Sequence, residues 1–195
     1  YGHRNPQGIA WNEDGLLVSS EHGPSGEMGY GHDEINVIIK GKNYGWPKVV
    51  GDSSDNSYVN PIIHSGEQTW APSGMTFYNS DKISSFEGKF LVGALRGQHL
   101  VVLDVAKDGS LISAEKMFEG DFGRIRTAQI GPDGVLYLLT ANGDNDKIIR
   151  ISEAPLEEVT KFTSNESGDN LTIVYAMVGI VVAGIIVAIV IKRRR

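Results

Sequence analysis

Along the first 150 or so residues, short apolar runs alternate with polar turns that carry glycine, proline, asparagine or aspartate. Runs bounded in this way predict strands. The expected strands are Ile9–Trp11, Leu16–Ser20, Ile35–Ile39, Met75–Tyr78, Lys89–Ala94, His99–Val105, Glu115–Phe118, Thr127–Ile130, Val135–Thr140 and Lys147–Ile151. Asn12–Gly15, Glu87–Gly88 and Gly131–Gly134 read as the turns between them, and Gly51–Asn60 reads as a polar insertion. A strand, a turn ending in glycine and a second strand recur around Gly15, Gly88 and Gly134. No stretch before residue 153 keeps a helical period. Units of about 40–50 residues built from short strands predict an all-β fold of four-stranded propeller blades. Residues 1–152 have room for about three blades, fewer than the ~4–8 of a whole propeller.

The pattern changes after residue 152. Residues 153–170 read as a polar stalk, in which Asn165 and Asn170 each begin a glycosylation acceptor triplet. Leu171–Ile191 is a run of 21 residues without a charge. As a helix it would be about 31 Å long, enough to cross the hydrocarbon core of a bilayer. Four basic residues, Lys192–Arg195, follow at once. A basic cluster of this kind marks the cytoplasmic side, so the expectation is a single-pass cell-membrane protein. Its strand-rich domain would face outside and its C-terminus would be cytoplasmic. Tyr1 opens inside a turn-rich segment with no export signal before it, which predicts the C-terminal part of a longer protein.

Composition narrows the chemistry. The chain has 195 residues and no cysteine, which removes disulfides and thiolate metal sites. Its net charge is −6, but residues 1–170 carry 14 basic against 24 acidic groups, a net of −10. Such a domain is not expected to bind nucleic acid. Glu21–Pro47 follows the second strand and contains the third, with glycines at 23, 26, 29 and 31 and an acidic pair, Asp33 and Glu34, ahead of it. A loop of this kind can turn carbonyl oxygens toward a hard cation such as calcium, or can be a solvated connection. Only five arginines precede the basic tail: Arg4, Arg96, Arg124, Arg126 and Arg150. If extended, Gly123–Arg126 would put Arg124 and Arg126 on one face. Two guanidiniums side by side need an anion, either a local carboxylate or an anionic ligand.

Several motifs together resemble one family. Gly2–Gly8 (GHRNPQG), Glu21–Pro24 (EHGP), Asp33–Asn36 (DEIN), Asn43–Pro47 (NYGWP), Ala71–Met75 (APSGM), Gly123–Arg126 (GRIR) and Gly131–Tyr137 (GPDGVLY) occur in this order. The chain from Tyr1 to about Ile151 is similar to the soluble quinoprotein glucose/sorbosone dehydrogenases, which include the PQQ-dependent aldose sugar dehydrogenases. The resemblance implies a six-bladed β-propeller, of which this chain would supply the C-terminal half. It implies PQQ and Ca²⁺ as cofactors, a sugar as substrate, a lactone as product and an external electron acceptor of unknown identity. Arg4, Asn5, Arg96, Arg124 and Arg126 would bind PQQ, with Arg96 standing where the family usually has lysine. The carbonyls of Gly23 and Pro24 would hold the calcium. The family's general-base histidine lies upstream of the Arg4–Asn5 motif, so no catalytic residue is expected within this chain. His3, His22, His32, His64 and His99 are not candidates for it. The alternative expectation is a cell-surface propeller that binds a ligand without catalysis.

Overall fold

In a computed structural model, residues 1–24 and 31–153 are described, together with the strands Val174–Tyr175 and Val187–Val190. The described residues are all-β, without a helix. The first antiparallel sheet runs β1 (Pro6–Trp11), β2 (Leu17–Glu21), β3 (Glu34–Val37) and β4 (Ile63–His64). The second runs β5 (Pro72–Tyr78), β6 (Lys89–Ala94), β7 (His99–Val105) and β8 (Leu111–Met117). The third starts with β9 (Ile125–Ile130), β10 (Leu136–Thr140) and β11 (Ile148–Glu153). These are successive meanders, and their first strands are neighbours: β1 packs beside β5 and β5 beside β9. That is the arrangement of three propeller blades, with β1, β5 and β9 as the inner strands.

The three turns flagged by glycine hold the same place in each blade, between its first and second strands. Gly15, Gly88 and Gly134 have φ of 82°, 73° and 76°, angles that a β-carbon resists. The wider spacing between the first two comes from residues 38–62, which join β3 to β4 in the first blade, where residues 106–110 join β7 to β8 in the second.

Two apolar layers hold the blades face to face. Val18, Ile35, Trp70, Met75, Phe90, Val92 and Leu103 fill the layer between the first and second sheets. Tyr78, Phe86, Leu91, Leu100, Ile125, Leu136 and Ile149 fill the layer between the second and third. The middle blade is therefore buried on both faces, which is why β6 and β7 read as continuous apolar runs and not as alternating ones. Phe90 and Leu91 are adjacent in sequence but belong to different layers, each contributing about 1.5–3 kcal/mol by burial.

Inner strands approach closely where glycine removes the side chain. A β-carbon on Gly8 would overlap the carbonyl of Ser73, and one on Gly74 would overlap the Thr127 side chain. Both glycines sit in a Pro-x-Gly step at the start of an inner strand, Pro6-Gln7-Gly8 and Pro72-Ser73-Gly74. The register of each of these strands shifts there, between Pro6 and Gly8 and between Pro72 and Met75. Such bulges bend a strand and re-aim its side chains.

The predicted membrane helix needs correction in its described parts. Within Leu171–Ile191, Val174–Tyr175 (β12) and Val187–Val190 (β13) are strands, and β13 pairs antiparallel with β11, Arg150 lying opposite Val190. A run rich in valine and isoleucine also favours the extended state, and β11 would otherwise leave an open sheet edge. Among the described residues no helix is long and apolar enough to cross a membrane. The rest of that run, the stalk from residue 154, its two acceptor triplets and the basic tail lie outside the described residues.

Candidate functional site

In an antiparallel meander every inner strand starts, and every second strand ends, at the same end of the blade. Arg4 and Asn5 precede β1, Gly23 and Pro24 follow β2, Arg96 follows β6, and Arg124 and Arg126 flank the start of β9. All seven residues predicted for the site therefore lie at one end of the blades.

Arg4 is fixed from three sides. Its backbone N–H donates to Glu21 Oε2 at 2.8 Å, its Nη1 donates to the His22 carbonyl at 3.2 Å, and its guanidinium lies 5.5 Å from the centre of the Trp46 ring. Glu21, only 2% exposed, also holds His3 Nδ1 and Asn36 Nδ2 through Oε1, each at 2.8 Å. His3 in turn stacks on Tyr44 at 4.2 Å. Burial raises the Tyr44 phenol above its ordinary 10.0, which keeps the proton that it donates to the Val37 carbonyl. The Asn5 carbonyl accepts from His22 N–H at 3.1 Å, and its side-chain oxygen accepts from Gln7.

Gly23 and Pro24 are buried. Gly23 is required for space: a β-carbon would overlap the carbonyl oxygens of Gly31 and His32. Its N–H donates to Asp33 Oδ1 at 2.9 Å. Arg4, Glu21, His22, Gly23 and Pro24 line a cavity of about 10 Å³, the space of roughly one water-sized sphere. Among the described residues no group of three or more histidine and carboxylate side chains is arranged to hold a metal. A cation here would depend on main-chain carbonyls, in a surround made negative by buried Glu21 and Asp33.

Arg96 is exposed, and its backbone N–H donates to the Trp70 carbonyl at 2.9 Å. The turn that carries it is closed by His99, whose Nδ1 lies 2.8 Å from the Gly97 carbonyl. Burial lowers the His99 pKa, favouring the neutral ring. Arg124 and Arg126 are both exposed on either side of buried Ile125, as strand alternation requires. Arg124 N–H is held by Asn142 Oδ1 at 2.7 Å. Arg126 Nη1 reaches Ser73 Oγ at 3.4 Å. Among the described residues the ion pairs are His3–Glu21, His64–Asp52, Lys82–Asp81, Lys107–Asp14 and Arg150–Asp133. None of them involves Arg4, Arg96, Arg124 or Arg126.

Sequence reasoning had passed over Glu21 and Asp33 as supports of this end, and Ser73 as the link from Arg126 to Ser20, whose Oγ donates to the Ser73 carbonyl at 2.8 Å. A larger groove of about 440 Å³ lies along the inner strands toward the opposite end, lined by Ile9, Trp11, Met75 and Phe77. Among the described residues Glu13 is the one charged residue in its lining, beside the neutral polar Asn12, Thr76, Asn79 and Gln129, so it lacks the positive charge of the arginine end.

Fold and site thus define a β-propeller whose blades gather arginines and a buried Gly-Pro turn at one end. The chain belongs to the glucose/sorbosone dehydrogenase family, whose model matches residues 1–150. It is 38% identical over 166 residues to the aldose sugar dehydrogenase YliI of Escherichia coli, covering 78% of this chain and 43% of that protein. Over 58 residues it is 53% identical to quinoprotein glucose dehydrogenase B of Acinetobacter calcoaceticus, covering 30% of this chain and 11% of that one. The PQQ-bound aldose sugar dehydrogenase of Streptomyces coelicolor has a similar structure, with a TM-score of 0.64 at 31% identity, covering 77% of this chain and 43% of that one. The chain spans less than half the length of the aldose sugar dehydrogenases it matches.

Proposed function

We propose that this chain supplies the cofactor cradle of a PQQ- and calcium-dependent dehydrogenase that oxidises aldose sugars to lactones. The observation that carries the reading is the set of four arginines at one blade end. They sit in a domain of net negative charge, yet among the described residues none is within ion-pair distance of a carboxylate. A ligand with several carboxylates meets that arrangement, because each guanidinium can offer two parallel hydrogen bonds. PQQ has three, and a relative carries it.

Arg4, Arg96, Arg124 and Arg126 would hold the carboxylates, with Asn5 beside Arg4. Gly23 and Pro24 would offer carbonyls to Ca²⁺, in keeping with the water-sized cavity they line. The chemistry supplied there would be a hydride acceptor for the anomeric carbon, from PQQ, and a Lewis acid at its quinone, from Ca²⁺. On the family pattern, the base that removes the hydroxyl proton and the remaining blades of a six-bladed ring would come from outside this chain.

The test is reconstitution of the full-length protein with PQQ and calcium, followed by aldose oxidation with an artificial electron acceptor. Activity should need both additions and disappear on chelation. Tight PQQ binding with no turnover of any aldose would favour the non-catalytic module, and absence of PQQ binding would overturn the assignment.

The uncharged Leu171–Ile191 run with its basic flank supports a membrane anchor that places the propeller outside the cell. Protease treatment of intact cells should release the propeller and spare the tail, and tail cleavage in sealed cells would refute this orientation.

A further inference from the structure

The structure carries a link between the two halves of the proposed cradle that runs through a single carboxylate. Asp33 is 2% exposed, and among the described residues no lysine or arginine lies within ion-pair distance of it. Its charge is met by main-chain donors instead. Oδ1 accepts from Gly23 N–H at 2.9 Å, and Oδ2 accepts from Trp70 N–H at 2.6 Å and Ala71 N–H at 2.9 Å. Its own N–H donates to Ser65 Oγ at 2.9 Å. None of the three donors to the carboxylate has a place in a strand ladder, because Gly23 lies past the end of β2 and Trp70 and Ala71 lie before β5. Without the carboxylate they would be buried groups without partners, a costly state.

The link continues on the far side of the same peptides. The Trp70 carbonyl accepts from Arg96 and Gly97 N–H, and the Ala71 carbonyl accepts from Leu95 N–H, each at 2.9 Å. Ala71 has φ 49°, an unfavourable angle for a residue with a β-carbon. It is held there by bonds at both of its peptide groups. An unbroken path of hydrogen bonds and peptides thus joins Gly23 in the first blade to Arg96 in the second.

We propose that Asp33 is a positioning residue, which fixes the Gly23 turn against the Trp70–Ala71 segment and so sets the placement of the metal-binding carbonyls relative to Arg96. The metal part of this inference rests on the function proposed above, whereas the mechanical part does not. A carboxylate is needed because both oxygens accept. Asparagine has one acceptor oxygen and would turn an N–H₂ toward either Gly23 or the Trp70–Ala71 pair. Keeping the two bonds to Trp70 and Ala71 sacrifices the one to Gly23.

Two measurements on the full-length protein separate the parts. The first is amide hydrogen exchange of the metal-free protein. Asp33→Asn should raise exchange at residues 22–24, with smaller increases at 70–71 and 95–97, while β7 and β10 stay protected. Unchanged exchange in these segments, or a uniform rise across the chain, would overturn the positioning role. The second is Ca²⁺ affinity by calorimetry without PQQ. The variant should bind calcium about ten- to a hundred-fold more weakly, the usual effect of removing an outer-shell partner of a metal ligand. Leu138→Ala, a cavity in the distant layer between the second and third blades, should lower overall stability and leave calcium affinity unchanged. A parallel loss of affinity in Leu138→Ala would mean that the Asp33 effect is general destabilisation, and would overturn the proposal. If the wild-type protein binds no calcium, the metal assignment fails, and the exchange measurement still decides whether Asp33 positions the turn. Should Asp33→Asn fail to fold, Ser65→Ala replaces it. That variant removes the acceptor of the Asp33 N–H and should give a weaker change in the same segments. No local change in Ser65→Ala would then count against the role.

Discussion

Replacing Arg126 by alanine separates a ligand-binding arginine from a structural one. The side chain is exposed, and its polar contact among the described residues is to Ser73 Oγ at 3.4 Å. That is longer than the usual ~2.7–3.2 Å of an N–H···O bond. No carboxylate is left unpaired by the change, and no cavity opens. The expected loss of folding stability is therefore small, within about 0.5 kcal/mol, as for ordinary surface substitutions. The expected loss in binding is larger. A charge-assisted bond to a PQQ carboxylate contributes on the order of 1.5–3 kcal/mol, or about ten- to a hundred-fold in Kd. Titration of PQQ into the calcium-loaded full-length variant, with thermal melts alongside, reads both quantities. Arg126→Lys should recover only part of the affinity, since an ammonium is a point charge and not a fork. Wild-type affinity in Arg126→Ala would refute the assignment. So would a large loss of melting temperature with unchanged affinity, which is what a structural ion pair would give.

Gly74→Ala tests the close approach of the inner strands. The added methyl overlaps Thr127 at the start of β9 and should cost about 1–3 kcal/mol in chemical denaturation, with weaker PQQ binding because Arg126 is displaced; an unperturbed variant would show that the strands have room to part. Glu34→Gln tests a half-buried charge. Burial, aided by the charge of Glu21, raises the Glu34 pKa above its ordinary 4.5, against the lowering effect of hydrogen bonds from Gly51 and Asn36. A raised pKa means that the folded state favours the protonated acid, so this stabilisation is full below about pH 4.5 and is lost as pH rises through the folded value. Glu34→Gln faces its N–H₂ toward Gly51 or Asn36, a cost that does not change with pH, so the stability of the wild type relative to the variant should fall as pH rises from about 4.5 toward 7 in metal-free protein. A difference that stays constant with pH would show that burial does not raise the Glu34 pKa.

The blades were legible where burial imposed a pattern. β6 and β7 match their expected bounds, Lys89–Ala94 and His99–Val105, because the middle blade is packed on both faces and its strands are unbroken apolar runs. The outer strands were less visible. β8 begins at Leu111, four residues before the expected start, because most of it faces solvent and its sequence carries little apolar alternation. β4 is only two residues long and gave no signal. The starts of β1 and β5 were placed late, since Pro6 and Pro72 read as turn residues and the bulges behind them follow from blade packing. Val187–Val190 shows a different ambiguity. An uncharged Val/Ile run satisfies the requirements of a membrane helix and of a sheet strand, and only its surroundings decide between them.

The site was legible in its charges and hidden in its supports. An arginine in an acidic domain is conspicuous in sequence because its guanidinium fork suits a carboxylate, whether of the chain or of a ligand. Glu21 and Asp33 are, by sequence, two acids among 24. What sets them apart is tertiary. Each ends up buried, and the donors that meet its charge come from elsewhere in the chain. For Glu21 they are Arg4, His3 and Asn36, and for Asp33 they are Gly23, Trp70 and Ala71. These carboxylates are held by backbone N–H groups and by His3 and Asn36, without using up an arginine side chain. The arrangement therefore does two things at once. It fixes the turns that carry Arg4 and Gly23, and it leaves the arginines of the same end available to an anionic ligand while the Gly-Pro turn stays in a negative surround suited to a cation.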